Sequence, residues 1–456
     1  MPFPRSMPVT APGPSGGVML RSVGAIRRDP LSFLARVRAE YGDLVQFPIP
    51  TPATYLVSEP EAVRRVLVTN ARGYGKRTAQ YASLSLVTGD GLLTADTEAW
   101  RHQRPLVQPA FHRSALDLVA VHVGEAVDRL VERWQWVDGH VVDVDAAMMR
   151  LALEVVGASL FGSDLSGDAE RLATATLDAL HVVVKKARNP LPLPLSVPTP
   201  TNVVLRRAVA ELDAAVDAML TERSTRPLGE GEPPRDMLDL LLAAYDDGSP
   251  TARRHLRDQV VTFIVAGHET VASALTWAWH LLGTHPEALA CLRAEAVSLG
   301  RAPTGHDLER LPYAGAVLHE VLRLYPPAWL ITRRALTPDV LAGVGIPADA
   351  LVIVSPWIVH RDADLWSSPA CFDPTRFLDV TGRRRRDVVA SSAYLPFGAG
   401  PRLCIGRDMA LLEGVLVLST LVTRVDLEPV GPGPRAVPLV TIRPDSGLPM
   451  RVRART

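Results

Sequence analysis

The stretch FGAGPRLCIG (397–406) places one cysteine among three glycines, a proline and an arginine. The chain of 456 residues has only three cysteines, Cys291, Cys371 and Cys404. A cysteine kept for packing normally lies in an apolar run, whereas glycines allow the backbone to approach another group closely. The stretch therefore indicates that the thiol of Cys404 meets a ligand.

Several kinds of site use a cysteine thiolate. Structural zinc requires about four ligands at paired spacing, and no CxxC or HxxxH partner lies nearby. A cysteine nucleophile requires a base; no histidine is close in sequence, and a distant one stays open. An axial thiolate on haem iron requires one cysteine and small neighbours, which Gly398, Gly400 and Gly406 supply. A helix predicted to begin near Ile405 would favour the thiolate through its positive end.

Composition narrows the class of protein. Hydrophobic residues make up 47% of the chain and charged residues 21%, as in a soluble globular enzyme. The 49 Lys and Arg balance the 49 Asp and Glu, so nothing indicates a nucleic-acid-binding protein. Three cysteines form no disulfide framework in a chain of this length and suit a reducing cytosol. Residues 1–17 are rich in Pro and Gly; they predict a flexible lead, not a signal peptide or membrane anchor.

Apolar periodicity predicts a mainly helical fold with small β-sheets. Strands are expected at 43–49, 53–58, 340–357 and 440–453. Residues 189–201, NPLPLPLSVPTPT, cannot be helical because alternating prolines remove donors; they predict a surface loop or, equally, a lid over an apolar cavity. Residues 223–236 read as a polar linker. Helices are expected at 29–42, 98–136, 144–162, 168–188, 203–224, 235–246, 252–284, 286–299 and 312–325.

The cysteine stretch resembles, in full, the haem-ligand signature of the cytochrome P450 family. The pattern F-x-x-G-x-R-x-C-x-G is carried by Phe397, Gly400, Arg402, Cys404 and Gly406. The resemblance implies that Cys404 is the axial ligand of haem b (iron protoporphyrin IX) and that Arg402 binds a haem propionate. Phe397, Gly398 and Gly406 would lie against the cofactor.

A second segment, HEVLRLYPP (319–327), resembles the family's K-helix motif. An E-x-x-R pair alone is a weak signal, because such pairs are common on exposed helices. With FDPTRF (372–377) downstream, the resemblance implies a buried ion cluster of Glu320, Arg323 and Arg376. Loss of one member of such a cluster would cost several kcal/mol.

A third segment, AGHET (266–270), lies in a long apolar helix, where an acid is costly unless it is used. It matches the family's oxygen-binding groove, A/G-G-x-D/E-T. The resemblance implies that Glu269 and Thr270 deliver protons during oxygen activation. Ala266 and Gly267 lie at helical spacing from Thr270 and would leave room for a ligand. His268 falls at the variable position and is expected to be packed or solvated.

Further cofactor contacts follow from the resemblance. Trp100 and Arg104 match the family's W-x-x-x-R, which contacts the haem propionates. Arg334 is the expected further propionate partner, with Arg333 left open, and His360 is a weaker candidate for the same role. The signatures occur in the family's order over 100–406, which implies one haem-binding domain at 18–456 and a cytochrome P450 fold.

The implied activity is a monooxygenase that inserts one atom of O₂ into a substrate. The chain ends 52 residues after Cys404 (456 − 404), so electrons from NAD(P)H are expected through a separate ferredoxin and ferredoxin reductase. The run Arg383–Arg386, with Arg402 and Arg407, is a solvated face or a docking site for an acidic donor. A cytoplasmic monomer is expected. The rivals are a haem-thiolate enzyme that uses or rearranges a peroxide, against which the complete AGHET argues, and a haem sensor.

The expected substrate pocket is apolar, which indicates a hydrophobic small molecule. Terpenoids, steroids, fatty acids and polyketides all fit, and a terpenoid is favoured. Residues 74–93 and 180–204 are expected to border the pocket. Its named lining is Phe263, Ala266, Gly267, Ala328, Trp329, Leu330 and Leu448.

Overall fold

The computed structural model describes residues 10–48, 53–135, 139–187, 193–229, 231–245 and 249–455. Within them the helices are α1 Gly16–Arg28, α2 Pro30–Tyr41, α3 Pro60–Arg64, α4 Ala79–Thr88, α5 Thr97–Val107, α6 Arg113–Gln135, α7 Val144–Phe161, α8 Ala169–Ala187, α9 Pro200–Ser224, α10 Met237–Ala244, α11 Pro250–Thr284, α12 Pro286–Ser298, α13 Pro312–Leu324, α14 Pro356–Val359, α15 Arg386–Val389 and α16 Arg407–Arg424. The strands are β1 Leu44–Phe47, β2 Thr54–Val57, β3 Tyr74–Gly75, β4 Val141–Asp143, β5 Ile331–Ala335, β6 Asp339–Leu341, β7 Val344–Ile346, β8 Leu351–Val354, β9 Val425–Pro429, β10 Ala436–Pro438, β11 Ile442–Pro444 and β12 Pro449–Ala454. The predicted helix-rich fold with small sheets is confirmed.

The chain divides into two compact units. Unit 1 comprises Met1–Ala82, Ala328–Cys371 and Asp387–Cys404. Unit 2 comprises Ser83–Pro327, Phe372–Arg386 and Ile405–Thr456.

Unit 1 is built on a five-stranded sheet of order β1-β2-β8-β5-β3. Strands β2 and β8 are parallel and the other neighbours antiparallel. The sequences of β1 and β2, LVQF and TYLV, are buried at every position, as expected for strands covered on both faces. Tyr55, Val57, Val352 and Leu395 belong to the resulting core.

The predicted flexible lead at 1–17 is wrong for residues 10–17. The Gln46 side chain accepts hydrogen bonds from the Thr10 and Ala11 amides at 2.7 and 3.2 Å, and the Gln46 amide donates to the Pro12 carbonyl at 2.8 Å. Helix α1 then begins at Gly16 with Ser15 as its N-cap. Residues 1–9 lie outside the described residues.

Unit 2 is helical and is centred on α11, which packs along α7. Helix α11 has 35 residues and is apolar enough to cross a membrane, but 83% of its apolar window is buried inside the protein. Trp277 of α11 is fully buried and stacks on Tyr325 with ring centroids 4.0 Å apart. Helix α11 is therefore a core helix of this unit.

Two predicted segments differ from the structure for reasons that involve proline. The single helix expected at 98–136 is divided by a 3₁₀ turn, Gln108–Phe111, because Pro109 cannot donate to a continuing α-helix. In the Pro-rich segment, residues 193–199 are not helical, as predicted. The prediction is wrong for residues 200–201, because α9 begins with Pro200 in its first turn, where no amide donor is needed. Residues 189–192 of the expected loop or lid and residue 230 of the expected linker lie outside the described residues.

Candidate active site

The cysteine of unit 1 ends a loop that is closed by backbone hydrogen bonds. The Cys404 amide donates to the Phe397 carbonyl at 3.0 Å, and the Gly398 amide donates to the Leu395 carbonyl at 3.0 Å. A 3₁₀ turn at Gly400–Arg402 lies between them. Cys404 is exposed, so this loop presents the thiol at the surface of unit 1.

Two glycines of this loop adopt backbone angles that other residues rarely adopt. Gly398 has φ +71° and Gly400 has φ +69°. A Cβ on Gly400 would lie 2.0 Å from the Leu67 carbonyl oxygen, whereas one on Gly398 would meet only the Ile331 side chain, at 3.9 Å. The absence of a side chain at Gly400 therefore lets the loop lie directly against the helical turn Arg65–Thr69. The absence of a side chain at Gly398 leaves open space beside the loop.

These features fit a haem group. The loop offers one exposed thiol, space at Gly398 and a partly buried arginine, Arg402, two residues before the cysteine. A single soft thiolate with an arginine nearby suits iron and a propionate. Cys404 would hold the iron and Arg402 a propionate.

His360 does not have the predicted role. It is fully buried, and its Nε2 accepts a hydrogen bond from the Leu395 amide at 2.7 Å. Its ring stacks on Tyr394 at 5.3 Å. The prediction of a propionate contact is therefore wrong, because this histidine supports the start of the cysteine loop from inside unit 1.

Arg333 and Arg334 are neighbours on β5, so their side chains take opposite faces of the sheet. Arg334 donates to Asp349 at 3.0 Å and its side chain is 40% exposed. Arg333 is buried and donates to the Tyr81 hydroxyl at 3.4 Å. The two guanidinium groups therefore cannot serve the same ligand.

In unit 2, α11 has one accessible stripe. From Asp258 to Trp279 every residue is buried except Ala266, Gly267 and Thr270, which are partly exposed. The Thr270 hydroxyl donates to the Ala266 carbonyl at 2.9 Å, and the helix continues without a break. Because its proton is used within the helix, the Thr270 oxygen is oriented to accept a hydrogen bond from a ligand.

Gly267 also has a packing role that was not predicted. A Cβ at this position would lie 2.8 Å from Val156 Cγ2 of α7. The small size of Gly267 therefore serves the close packing of α11 on α7. Its partly exposed surface still belongs to the accessible stripe with Ala266 and Thr270.

Glu269, next to this stripe, points into the protein and is 2% exposed. Its carboxylate accepts a hydrogen bond from the Thr441 hydroxyl. Burial raises the pKa of Glu269 to about 6, while the charge of Arg443 and the hydrogen bond from Thr441 lower it. The structure thus holds a carboxyl group that can exchange a proton near neutral pH.

His268 is fully buried, as expected for a packed residue. Its Nδ1 donates to the Ile264 carbonyl at 2.5 Å, and burial lowers its pKa to about 4.

The predicted ion cluster is present in unit 2. Arg323 donates from Nε and Nη2 to the two oxygens of Glu320, both at 2.7 Å, and neither side chain is exposed. Arg376 Nε and the Asp373 amide donate to Glu320 Oε1 at 3.3 and 2.9 Å. The cluster joins α13 to the 3₁₀ turn Pro374–Phe377.

The other residues that were predicted to contact the cofactor or the substrate lie in both units. In unit 2, Trp100 and Arg104 share one face of α5 and are partly buried, and Phe263 of α11 lies against Phe111 with ring centroids 5.8 Å apart. Gly406 is the N-cap residue of α16, and Leu448 is buried and donates from its amide to Asp143 at 2.9 Å.

In unit 1, the sequence around β5 alternates in exposure. Ala328 is exposed, Trp329 buried and Leu330 partly buried. Only Ala328 and Leu330 of this trio therefore present surface to a ligand, and Trp329 packs inside the unit.

Sequence reasoning missed the surroundings of Glu269. Thr441 and Arg443 lie in a segment read only as a strand, and Asp145 in one read only as the start of a helix. No spacing links positions 145, 269 and 443, because the fold alone brings them together. A weak signal was present: a buried acid requires a partner.

Comparison with known proteins agrees with this geometry. The family model for cytochrome P450 matches residues 11–444. The chain is 37% identical to cyclooctatin synthase of Streptomyces melanosporofaciens, over 90% of this chain and 88% of that protein. It is 34% identical to pentalenene oxygenase of Streptomyces avermitilis, over 94% of each. The crystal structure of CYP175A1 from Thermus thermophilus superposes with a TM-score of 0.76 at 32% identity, covering 95% of this chain and 97% of that one. The chain is therefore a member of the cytochrome P450 family, a haem-dependent monooxygenase with the fold of that family.

Proposed function

We propose that this enzyme hydroxylates a terpenoid with electrons from a ferredoxin and an NAD(P)H-dependent ferredoxin reductase. When bound, the haem supplies reductive activation of O₂: a substrate C–H, O₂, two electrons and two protons give an alcohol and water. The observation that carries the proposal is that unit 1 has an exposed thiol on a glycine loop and that α11 of unit 2 has a complete acid–alcohol pair.

Each residue has one task in this proposal. Cys404 holds the iron, and Arg402, with Trp100 and Arg104 of α5, holds the propionates. Arg334 remains the further propionate partner, which requires that it leave Asp349.

Protons are handled by α11. Glu269 holds a proton at its buried carboxyl group and exchanges it near neutral pH. The Thr270 oxygen, whose own proton is bonded to Ala266, accepts a hydrogen bond at the accessible stripe. The pair therefore keeps its proton source on the buried side of the helix, next to the stripe where Thr270 accepts a hydrogen bond.

The substrate class rests on two supports. Phe263, Ala266, Ala328 and Leu330 offer apolar contact, which suits a hydrocarbon. The relatives are named for cyclooctatin, cyclooctat-9-en-7-ol and pentalenene, which are terpenoids. A terpene hydrocarbon or a terpene alcohol is therefore the proposed substrate.

An acidic electron donor would meet exposed arginines. Arg383, Arg385 and Arg386 are exposed, whereas Arg384 donates to the Leu308 carbonyl at 3.0 Å and packs on Gly315. The proposed docking patch therefore consists of Arg383, Arg385 and Arg386 without Arg384. We place the enzyme in the cytoplasm, where a ferredoxin system operates.

Reconstitution tests this function. The haem-loaded protein is incubated under ¹⁸O₂ with NADPH, a ferredoxin and its reductase, and a panel of terpenes, steroids and fatty acids. We expect a terpene product that carries one ¹⁸O atom and depends on both redox proteins. A product formed only with hydrogen peroxide would favour the peroxide-using alternative, and label in a steroid or fatty acid alone would overturn the substrate class.

A further inference from the structure

One face of α11 is hydrogen-bonded to the hairpin of β10 and β11. Glu269, Ser273 and Trp277 are spaced four residues apart and therefore lie on one side of the helix. Ser273 Oγ and Trp277 Nε1 both donate to the Ile442 carbonyl, at 2.7 and 2.9 Å. The neighbouring Thr441 hydroxyl donates to Glu269. The position of Thr441 beside the carboxyl group is thus set by rigid contacts on the following residue.

The next residue of the hairpin brings a buried charge. Arg443 is 3% exposed and donates to Asp145 Oδ2 of α7 at 2.6 Å and to the Met149 sulfur at 3.2 Å. The Thr276 hydroxyl of α11 donates to Asp145 Oδ1 at 2.9 Å. Asp145, Thr276 and Arg443 therefore lock α7, α11 and β11 into one polar cluster.

The charged groups around Glu269 act in opposite directions. Arg443 of β11 lowers the pKa of Glu269, and Asp145 of α7 raises it. Asp143, the last residue of β4 and the N-cap of α7, acts on Asp145 and raises its pKa. On α11 itself, His268 is adjacent but stays neutral because burial and Arg443 lower its pKa.

We propose that Thr441, Arg443 and Asp145 are positioning residues: Thr441 orients the Glu269 carboxyl group through its hydrogen bond, and the buried Arg443–Asp145 pair beside it sets the balance between the charged and neutral forms of that group. Thr441 and Arg443 stabilise the carboxylate, and Asp145 limits the effect of Arg443 by pairing with it. The inference rests on the proposed role of Glu269 as the proton carrier. It assigns the control of the Glu269 protonation state to residues of the hairpin and of α7 that no sequence motif identifies.

The direct readout is the infrared C=O stretch of the neutral Glu269 carboxyl group, identified as the band that Glu269→Gln removes. Its intensity is followed against pH in the haem-loaded protein and its variants. Thr441→Val should move the midpoint to higher pH, and Thr441→Ser should leave it unchanged because the hydroxyl is retained. Arg443→Met should raise the midpoint by about one pH unit, a tenfold change in proton affinity, and Asp145→Asn should lower it.

Two features keep the test decisive. Thr441→Val leaves the buried charges of Arg443 and Asp145 in place. Its midpoint can therefore be measured even if Arg443→Met and Asp145→Asn fold poorly. Arg435→Met is the matched control on the same hairpin, because Arg435 is 86% exposed and pairs with Asp445; its midpoint should equal that of the wild type.

A second readout is the pH profile of product formed per electron pair, which should move in the same direction as the infrared midpoint. An unchanged midpoint in Thr441→Val, or shifts of the same sign in Arg443→Met and Asp145→Asn, would overturn the proposal. Infrared shifts of the expected signs in a protein that oxygenates no compound would support the positioning roles and overturn the proposed function instead.

Discussion

In the cysteine loop, Gly400 combines a positive φ with a close backbone contact, so it cannot become alanine without movement of the backbone. A methyl group there would overlap the Leu67 carbonyl oxygen, at 2.0 Å, and φ is +69°. We expect Gly400→Ala to lower the free energy of unfolding by about 1–3 kcal/mol and to lower the haem-to-protein ratio. Urea unfolding and absorbance measure the two effects.

Gly345→Ala is the control in the same unit, because a methyl group at Gly345 meets nothing within 4 Å. Equal stability and haem content in both variants would show that the close approach of Gly400 to Leu67 does not shape the loop.

The role proposed for Thr270 concerns proton delivery and not the retention of haem. Thr270→Ala removes a hydroxyl that donates to Ala266 within an intact helix, so we expect normal haem binding. Product formed per NADPH should fall, with the missing electrons recovered as hydrogen peroxide. Thr270→Ser retains the hydroxyl and should stay close to the wild type. Tight coupling in Thr270→Ala would contradict the role given to this residue.

The sequence predicts those residues that lie in short motifs. Cys404, Glu320 and Glu269 each stand in a fixed local pattern. Thr441 and Arg443 do not, because their importance depends on a hairpin laid along α11 by contacts to Ser273 and Trp277. His360 shows the converse: a polar residue in a plausible place was assigned to a ligand, and the fold uses it to bind the Leu395 amide.

At the scale of elements, the buried cluster around Glu320 joins α13 to the turn at Pro374–Phe377. Removing one partner of a buried ion pair leaves the other charge buried without a counter-charge, which lowers the free energy of unfolding by about 3–5 kcal/mol. We therefore expect Glu320→Ala to lower the free energy of unfolding by that amount and to lose haem. Denaturant titration and haem absorbance provide the measurements.

The matched control is Glu428→Ala. Glu428 pairs with Arg453 at the surface, where the side chains are 52% and 57% exposed, and exposed pairs contribute about 0–1 kcal/mol. Similar losses in the two variants would contradict the structural role of burial in the Glu320 cluster.

Helix boundaries were predicted where a glycine ends the apolar pattern and missed where a proline lies inside a pattern that continues. Gly42 ends α2 at the expected position, with φ +95°. The break at Gln108–Phe111 was missed although Pro109 lies within it, because the apolar spacing continues on both sides. The hydrogen bonds of Thr10, Ala11 and Pro12 with Gln46 were missed because Gln46 is more than 30 residues away in the chain.

At the scale of the whole molecule, two buried histidines should each lower the free energy of unfolding in acid. Burial lowers the pKa of His268 and of His319 to about 4, from an ordinary value of 6.5. The unfolded chain therefore binds protons between pH 6.5 and 4 that the folded protein does not, and each histidine costs about 2 kcal/mol by pH 5. Glu269 acts in the opposite sense, since its raised pKa costs stability as pH rises from 4.5 to about 6.

Unfolding free energies measured from pH 7 to pH 4.5 test this prediction. His319→Gln should flatten the acid decline, since it removes one of the two buried sites. A decline of equal steepness in His319→Gln and in the wild type would show that His319 does not contribute to it.

The central claim is that the Cys404 thiolate binds the haem iron. The most direct measurement is the absorption spectrum of the reduced, haem-loaded protein under carbon monoxide. We predict the strongly red-shifted Soret band of thiolate ligation in the wild type and its absence in Cys404→Ala. A wild-type band at the position typical of histidine-ligated haem, or a red-shifted band that persists in Cys404→Ala, would contradict the claim.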